Sequence, residues 1–291
     1  MSSVDFTLPG CCGSDDALAK ITLARTFAHS KTHNPRNVEH PWYAYWDCVL
    51  NSLTSDNNRL VVAPQHLLYF ETSAEGVTDP VPTGIEGPPG HKKNASVSTV
   101  AASEAREVIP DFAIIRYQKP PIPENADEAG KDVPLLMEIK RAGPRKFCKE
   151  ATYVNMTLAQ RAAEKQAWFL FQMDPNQETV ILIGCVGAYW TCRLMSRDQA
   201  KESKEDGRFL VDLGGDNDYQ MESDEESSLG SGSDEGIREM SPSTEESEPN
   251  FYQQVMDSDL ELMMQWTGIM ELDSEASNQH LFLIHQYLND G

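Results

Sequence analysis

Ile109-Pro110-Asp111-Phe112-Ala113-Ile114-Ile115 and Leu135-Leu136-Met137-Glu138-Ile139-Lys140 each set acidic chemistry on an apolar, strand-like run, and Glu138 lies 27 positions after Asp111. In a strand, residues i and i+2 share a face. Glu138 and Lys140 therefore project together, while Leu135, Met137 and Ile139 project into a core on the other side. If the two runs pair as neighbouring strands, two carboxylates and one ammonium converge at one sheet edge. That trio outlines a divalent-metal phosphodiester site: Mg²⁺ or Mn²⁺ takes hard oxygen ligands, and a lysine beside it can orient water or stabilise charge developing on phosphate.

The flanking segments read as an α/β unit. Residues 152–173 are rich in good helix formers and stop before Asp174-Pro175. The spacing predicts a core face of Leu158, Ala162 and Phe169 with Gln166 on the same stripe, and a glutamine there needs a polar partner. Next, Thr179-Val180-Ile181-Leu182-Ile183-Gly184-Cys185-Val186-Gly187 is a continuous apolar run, as in a strand covered on both faces. Strand, helix, strand predicts a parallel pair, and residues 188–195 extend the sheet. Upstream, Pro41 to Leu53 reads as an aromatic helix with Trp42, Tyr45, Trp46 and Val49 on its core face. Arg59 to Glu71 supplies a first strand that Pro64 can interrupt.

Pro110-Asp111 and Glu138-Ile139-Lys140 resemble the signature of the PD-(D/E)XK nuclease superfamily, the restriction-endonuclease-like fold. With the tryptophan-rich helix and Val62-Ala63-Pro64-Gln65, residues 37–197 also look like a group of fungal proteins of unassigned function that carry that domain. The resemblance implies a three-layer core, a mixed sheet of four to five strands flanked by helices, and Mg²⁺- or Mn²⁺-dependent cleavage of DNA or RNA. It implies Asp111, Glu138 and the Ile139 backbone carbonyl as metal ligands, Lys140 as catalytic base or charge stabiliser, and Gln166, with Gln160 behind it, as the functional glutamine. An acid on the first helix also belongs to the pattern. Glu39 and Asp47 are both candidates, and spacing does not choose between them.

Charge divides the chain. Of its 46 acids and 24 bases, 24 acids and 4 bases lie from Asp198 onward, leaving 22 and 20 for the rest. Phosphate contact relies on a positive surface, so this balance argues against indiscriminate nucleic-acid binding but permits a local groove. Arg141, Arg145, Lys146 and Lys149, with Lys92, Lys93 and Arg116, could line one. Residues 201–250 are acidic, serine-rich and poor in aliphatics, a composition that predicts disorder and could bind basic proteins. In 251–289 apolar spacing predicts two helices, one through Val255 to Met270 and one over residues 278–288, folding back on the sheet. The chain thus reads as a polar extension (1–36), the nuclease-like domain (37–197), an acidic segment (198–250) and C-terminal helices (251–291), with a short helix at residues 15–28.

The alternative function is a binding or interaction module on the same scaffold, its site inactive and its acidic segment engaging partners. The six cysteines show no paired spacing, so a reducing compartment, nucleus or cytoplasm, is expected. His29 and His33 are spaced i, i+4 and with Cys11 and Cys12 would make a zinc set, but Asn34-Pro35 and polar surroundings point to a loop. No run reaches the ~20 apolar residues of a membrane span, and the first ten residues lack a leader's basic and apolar regions.

Overall fold

In the computed structural model, residues 6–71, 105–118, 130–142, 149–206 and 263–290 are described. The loop at 72–98, most of the loop at 118–132, Lys92, Lys93, Arg145, Lys146, Cys148 and the acidic stretch 207–262 lie outside them.

The elements run α1 (Asp15–His29), α2 (His40–Leu53), β1 (Leu60–Pro64), β2 (Leu68–Glu71), β3 (Ala105–Val108), β4 (Phe112–Tyr117), β5 (Lys131–Lys140), α3 (Lys149–Met173), β6 (Thr179–Val186), β7 (Tyr189–Ser196), α4 (Arg197–Glu205), β8 (Met270–Glu271) and α5 (Glu275–Asn289). The main sheet is ordered β1-β4-β5-β6-β7-β8. Among the described residues, only β5 and β6 pair in parallel, across the α3 crossover. The chain is α/β with a mixed sheet of six strands, one or two more than the sequence predicts.

Alternation along the central strands builds three layers. Phe112, Ile114, Leu135, Met137, Ile139, Ile181 and Ile183 face a core filled by α1, α2 and α5. Ala113, Leu136, Val180 and Leu182 face the opposite core under α3 and α4. The aromatic face of α2 is buried as its spacing predicts, with Trp42, Tyr45, Trp46 and Val49 at most 1 % exposed. The segment read as a polar extension contributes α1, whose Ile21 and Ala28 join that core. Here His29 meets Trp42 edge-on and His33 stacks on Phe27, so both are held by aromatic contacts.

One hairpin spans both sheets. Leu60 to Pro64 pair with Arg116 to Phe112, and Leu68 to Glu71 pair with Val108 to Ala105. Every pair keeps the same register across the break, so β1–β2 and β3–β4 are one ribbon kinked out of the main sheet. Gln65, at φ 50°, is the kink, and its amide donates to the Asp111 carbonyl at 2.9 Å. Pro64 therefore ends a strand at the sheet's edge, where a missing amide is tolerated.

Three expectations are corrected. The buried stripe of α3 is Thr152, Met156, Ala159, Ala163, Gln166 and Leu170, while Leu158 and Ala162 lie only partly covered. Small residues set that choice: a Cβ on Gly184 of β6 would stand 3.4 Å from Ala159 Cβ, so helix and strand approach closely. Residues 201–205, expected to be disordered, complete α4, which starts at a capping box between Ser196 and Gln199. Residues 263–271 are not helical beyond a short turn at 263–264. They run extended into β8, with Met270 opposite Trp190. Trp266 Nε1 donates to buried Glu164 at 2.8 Å, and Arg193 clasps the same carboxylate at 2.8 Å and the Met264 carbonyl at 3.1 Å. These tertiary contacts outweigh the helical spacing.

The C-terminal return to the sheet is as expected, with Leu281, Ile284 and Leu288 of α5 in the core. Among the described residues, no helix is long and apolar enough to cross a membrane.

Candidate active site

Asp111 sits at the hairpin kink, one step before β4. The last backbone pair of β4 and β5 is Phe112 with Met137. Continuing that register sets Asp111 opposite Glu138. Instead of a ladder bond, the Asp111 side chain takes the next amide: Ile139 N–H donates to Asp111 Oδ2 at 2.6 Å. The two motif halves thus meet at one end of the sheet, on extended backbone.

Glu138 turns toward α3. Lys140 Nζ donates to its Oε1 at 2.7 Å, and Gln166 Nε2 donates to its Oε2 at 2.6 Å. Glu138 is 7 % exposed and Gln166 5 %, so this carboxylate is held out of bulk water by two specific donors. Gln166 Oε1, also buried, has no partner among the described residues. Gln160 makes no hydrogen bond to the cluster and remains outside it.

On the α2 side, Tyr43 reaches Asp111. Its hydroxyl lies 2.7 Å from both Asp111 Oδ1 and Glu39 Oε1. Glu39 is the N-cap residue of α2 and Tyr43 lies one turn on, so i, i+4 spacing stacks them along one side of the helix, at the margin of the core where Tyr43 packs on Phe112. This separates the two first-helix candidates: Glu39 is at the site. Asp47 is bonded to Asn51 at 3.0 Å within α2, away from it. Tyr43 was missed by sequence reasoning because Asp111, the partner that brings it to the site, comes from a segment 68 positions away.

A phenol carries one proton. Two linear bonds to two carboxylates require that one of them be protonated and donate back. Asp111 is the group so disposed: burial and the neighbouring Glu138 charge push its carboxyl up to about 7, although the Ile139 amide and the Tyr43 hydroxyl pull the other way. Burial also raises Tyr43, with Asp111 and Glu39 adding to it. For Lys140 burial favours the neutral amine, but Glu138, then Glu39 and Asp111, outweigh it and the pKa rises. The ammonium is therefore held charged at neutral pH.

No protein-family model, no curated protein and no solved structure matches this chain.

Among the described residues, no three His, Cys, Asp or Glu side chains gather closely enough to form a metal cage. Asp111 approaches from the α2 layer and Glu138 from the α3 layer. Mg²⁺ needs no such cage, because it keeps several waters and takes one or two carboxylates plus substrate phosphate. A donor set of Asp111 and Glu138, with Glu39 reachable through Tyr43, fits that requirement.

Of the expected phosphate path, Arg141 follows Lys140 at the end of β5, where Asn155 Nδ2 donates to its carbonyl at 3.2 Å. Arg116 does not belong to it. It lies at the far end of β4, paired with Asp132 at 2.6 Å and reaching the carbonyls of Tyr287 and Leu288 on α5. That end also holds a cavity of about 570 Å³ lined by Arg59, Arg116, Lys131 and Tyr287 among others.

Among the described residues no disulfide forms. Cys11, Cys12, Cys48, Cys185 and Cys192 are free thiols.

Proposed function

We propose that this chain is a divalent-metal-dependent nuclease with a restriction-endonuclease-like core that hydrolyses phosphodiester bonds of DNA or RNA. The observation that carries the reading is the meeting of Asp111 and Glu138 at one sheet end with Lys140 Nζ 2.7 Å from Glu138. Asp111, Glu138 and Glu39 would hold Mg²⁺ or Mn²⁺, with the Ile139 carbonyl as a further oxygen donor. Such an ion supplies Lewis-acid polarisation of the phosphate and a water of lowered pKa. Lys140, held protonated by its acidic neighbours, acts as a charge stabiliser on the phosphate oxygens and not as a base. Gln166 fixes the Glu138 rotamer, and its open Oε1 can accept from water in the site.

The test is cleavage of single- and double-stranded DNA and RNA with Mg²⁺ or Mn²⁺. Activity is expected to vanish in Asp111→Ala and Lys140→Ala. Cleavage that survives either change removes this mechanism.

A second reading is favoured by one observation: both oxygens of Asp111 and both of Glu138 already have protein partners. A scaffold whose chemistry has been retired would look this way, serving as an interaction module whose acidic segment binds basic proteins. Calorimetry separates the two, because an active site binds Mn²⁺ in a manner that depends on Glu138.

A further inference from the structure

Away from the Asp111 site, α1 carries a face that the fold leaves unused. Ile21, Ala24 and Ala28 pack one side of the helix into the core beside α2. On the opposite side run two adjacent i, i+4 rows, Leu18-Thr22-Thr26 and Ala19-Leu23-Phe27, all exposed and none charged. Leu23 is 69 % exposed, Leu18 54 % and Phe27 44 %. Even the threonine hydroxyls are satisfied within the helix: Thr22 donates to the Leu18 carbonyl at 3.0 Å and Thr26 to the Thr22 carbonyl at 2.8 Å. The face therefore asks for an apolar partner and no polar one.

Charge narrows the choice of occupant. The chain has a net charge of −22, so two copies repel unless they meet where charge is absent. The two rows of α1 are such a place, and their ends are of opposite sign. Asp15 and Asp16 occupy the first turn, His29 the last, and Lys31 lies just beyond. Lys20 flanks the face one turn from Asp16, and Arg25 turns back to Glu271 and Asp273. A second copy laid antiparallel sets the acidic end of each helix against the basic end of the other and opposes the two helix dipoles. A parallel copy would stack acid on acid.

We propose that the outer face of α1 is a homodimer interface, occupied by α1 of a second copy of this chain running antiparallel and centred near Thr22 and Leu23. The same patch then serves both chains, as a two-fold interface requires. Nothing in it depends on the nuclease reading. A single pair of helices is small beside the roughly 1,200–2,000 Å² of stable complexes, so association in the micromolar range is expected.

The experiment is analytical ultracentrifugation of the full chain. The native chain is expected to pass from monomer to dimer mass across the micromolar range. Leu23→Glu loses no core packing, and it sets like charges against each other at the centre of the interface, so association should weaken by about a hundredfold or more. Leu18→Glu, on the other row, repeats the test should Leu23→Glu lose helix by circular dichroism. Orientation has its own readout. Asp15→Lys alone and Lys31→Glu alone each place like charges at both ends and should associate less than the native chain, whereas their equimolar mixture restores opposite charges and should associate more than either. A native chain that stays monomeric overturns the inference, as does a dimer that survives both glutamate variants. A mixture that associates no better than its components overturns the antiparallel pairing and the inference with it.

Discussion

Asp111 stands across from Glu138 at a register position where the backbone ladder has ended, and its side chain replaces the missing backbone partner by accepting the Ile139 amide at 2.6 Å. Burial, and then the charge of the neighbouring Glu138, push the Asp111 carboxyl up to about 7, so that it keeps its proton into the neutral range.

That proton makes stability depend on pH. Between roughly pH 4 and pH 7 the folded chain keeps a proton that the unfolded chain has released, so this group's contribution falls as pH rises through the window. Asp111→Asn mimics the protonated form: its amide can donate to Tyr43 and its carbonyl can accept from Ile139. The variant should match the native chain near pH 4 and exceed it by on the order of 4 kcal/mol near pH 8. Urea midpoints at the two pH values check this, and an equal gap at both would refute it.

Gln166 supplies one of the two donors that hold Glu138. Gln166→Leu leaves Oε2 buried and unpaired, at a cost of about 1–3 kcal/mol, and frees the carboxylate to turn. Thermal melting should show the loss. Cleavage, if the nuclease reading holds, should fall more steeply than the loss of folded protein explains.

The Glu164 carboxylate is 6 % exposed at its side chain and is shared by Arg193 and Trp266. Arg193→Met strands a buried anion and should destabilise by about 3–5 kcal/mol, whereas replacing both partners with apolar residues should cost much less. Denaturation of the single and double variants gives the comparison.

Gly187 and Ala188 form a two-residue turn between Val186 and Tyr189. Gly187 adopts φ 64°, and a Cβ there would lie 3.0 Å from Ala142 Cβ and 3.2 Å from Trp42. Its carbonyl also accepts from Trp46 Nε1 at 2.9 Å. Gly187→Val should cost about 1–3 kcal/mol through backbone strain alone. Native-like melting would show that the turn relaxes without penalty.

The strands carrying Asp111, Glu138 and Lys140 were legible because period-two alternation reports which face a residue takes, and an ionisable pair on one face of an apolar run is conspicuous. The α2 core was legible for the analogous reason at helical spacing. On α3, Phe169 and Gln166 are buried as their spacing predicts, but Leu158 and Ala162 are only partly covered, because the contact with β6 runs through the small Ala159 beside Gly184. Residues 263–271 misled in the opposite way. Met263, Trp266 and Met270 lie at helical intervals, yet Trp266 is used to reach Glu164 and Met270 to pair with Trp190. Tyr43 and the choice of Glu39 over Asp47 were out of reach, since both depend on which strand end the helix N-terminus meets.

Residues 207–262 join α4 to β8, and both of those elements are anchored to the same sheet. The described residues on either side of that stretch, Asp206 and Met263, thus belong to one body. A protease cutting anywhere within the stretch would give two fragments that remain associated, held by the β7–β8 pairing and the core side of α5. Separation would require unfolding, so such a nick would show on a denaturing gel and leave the native elution volume nearly unchanged.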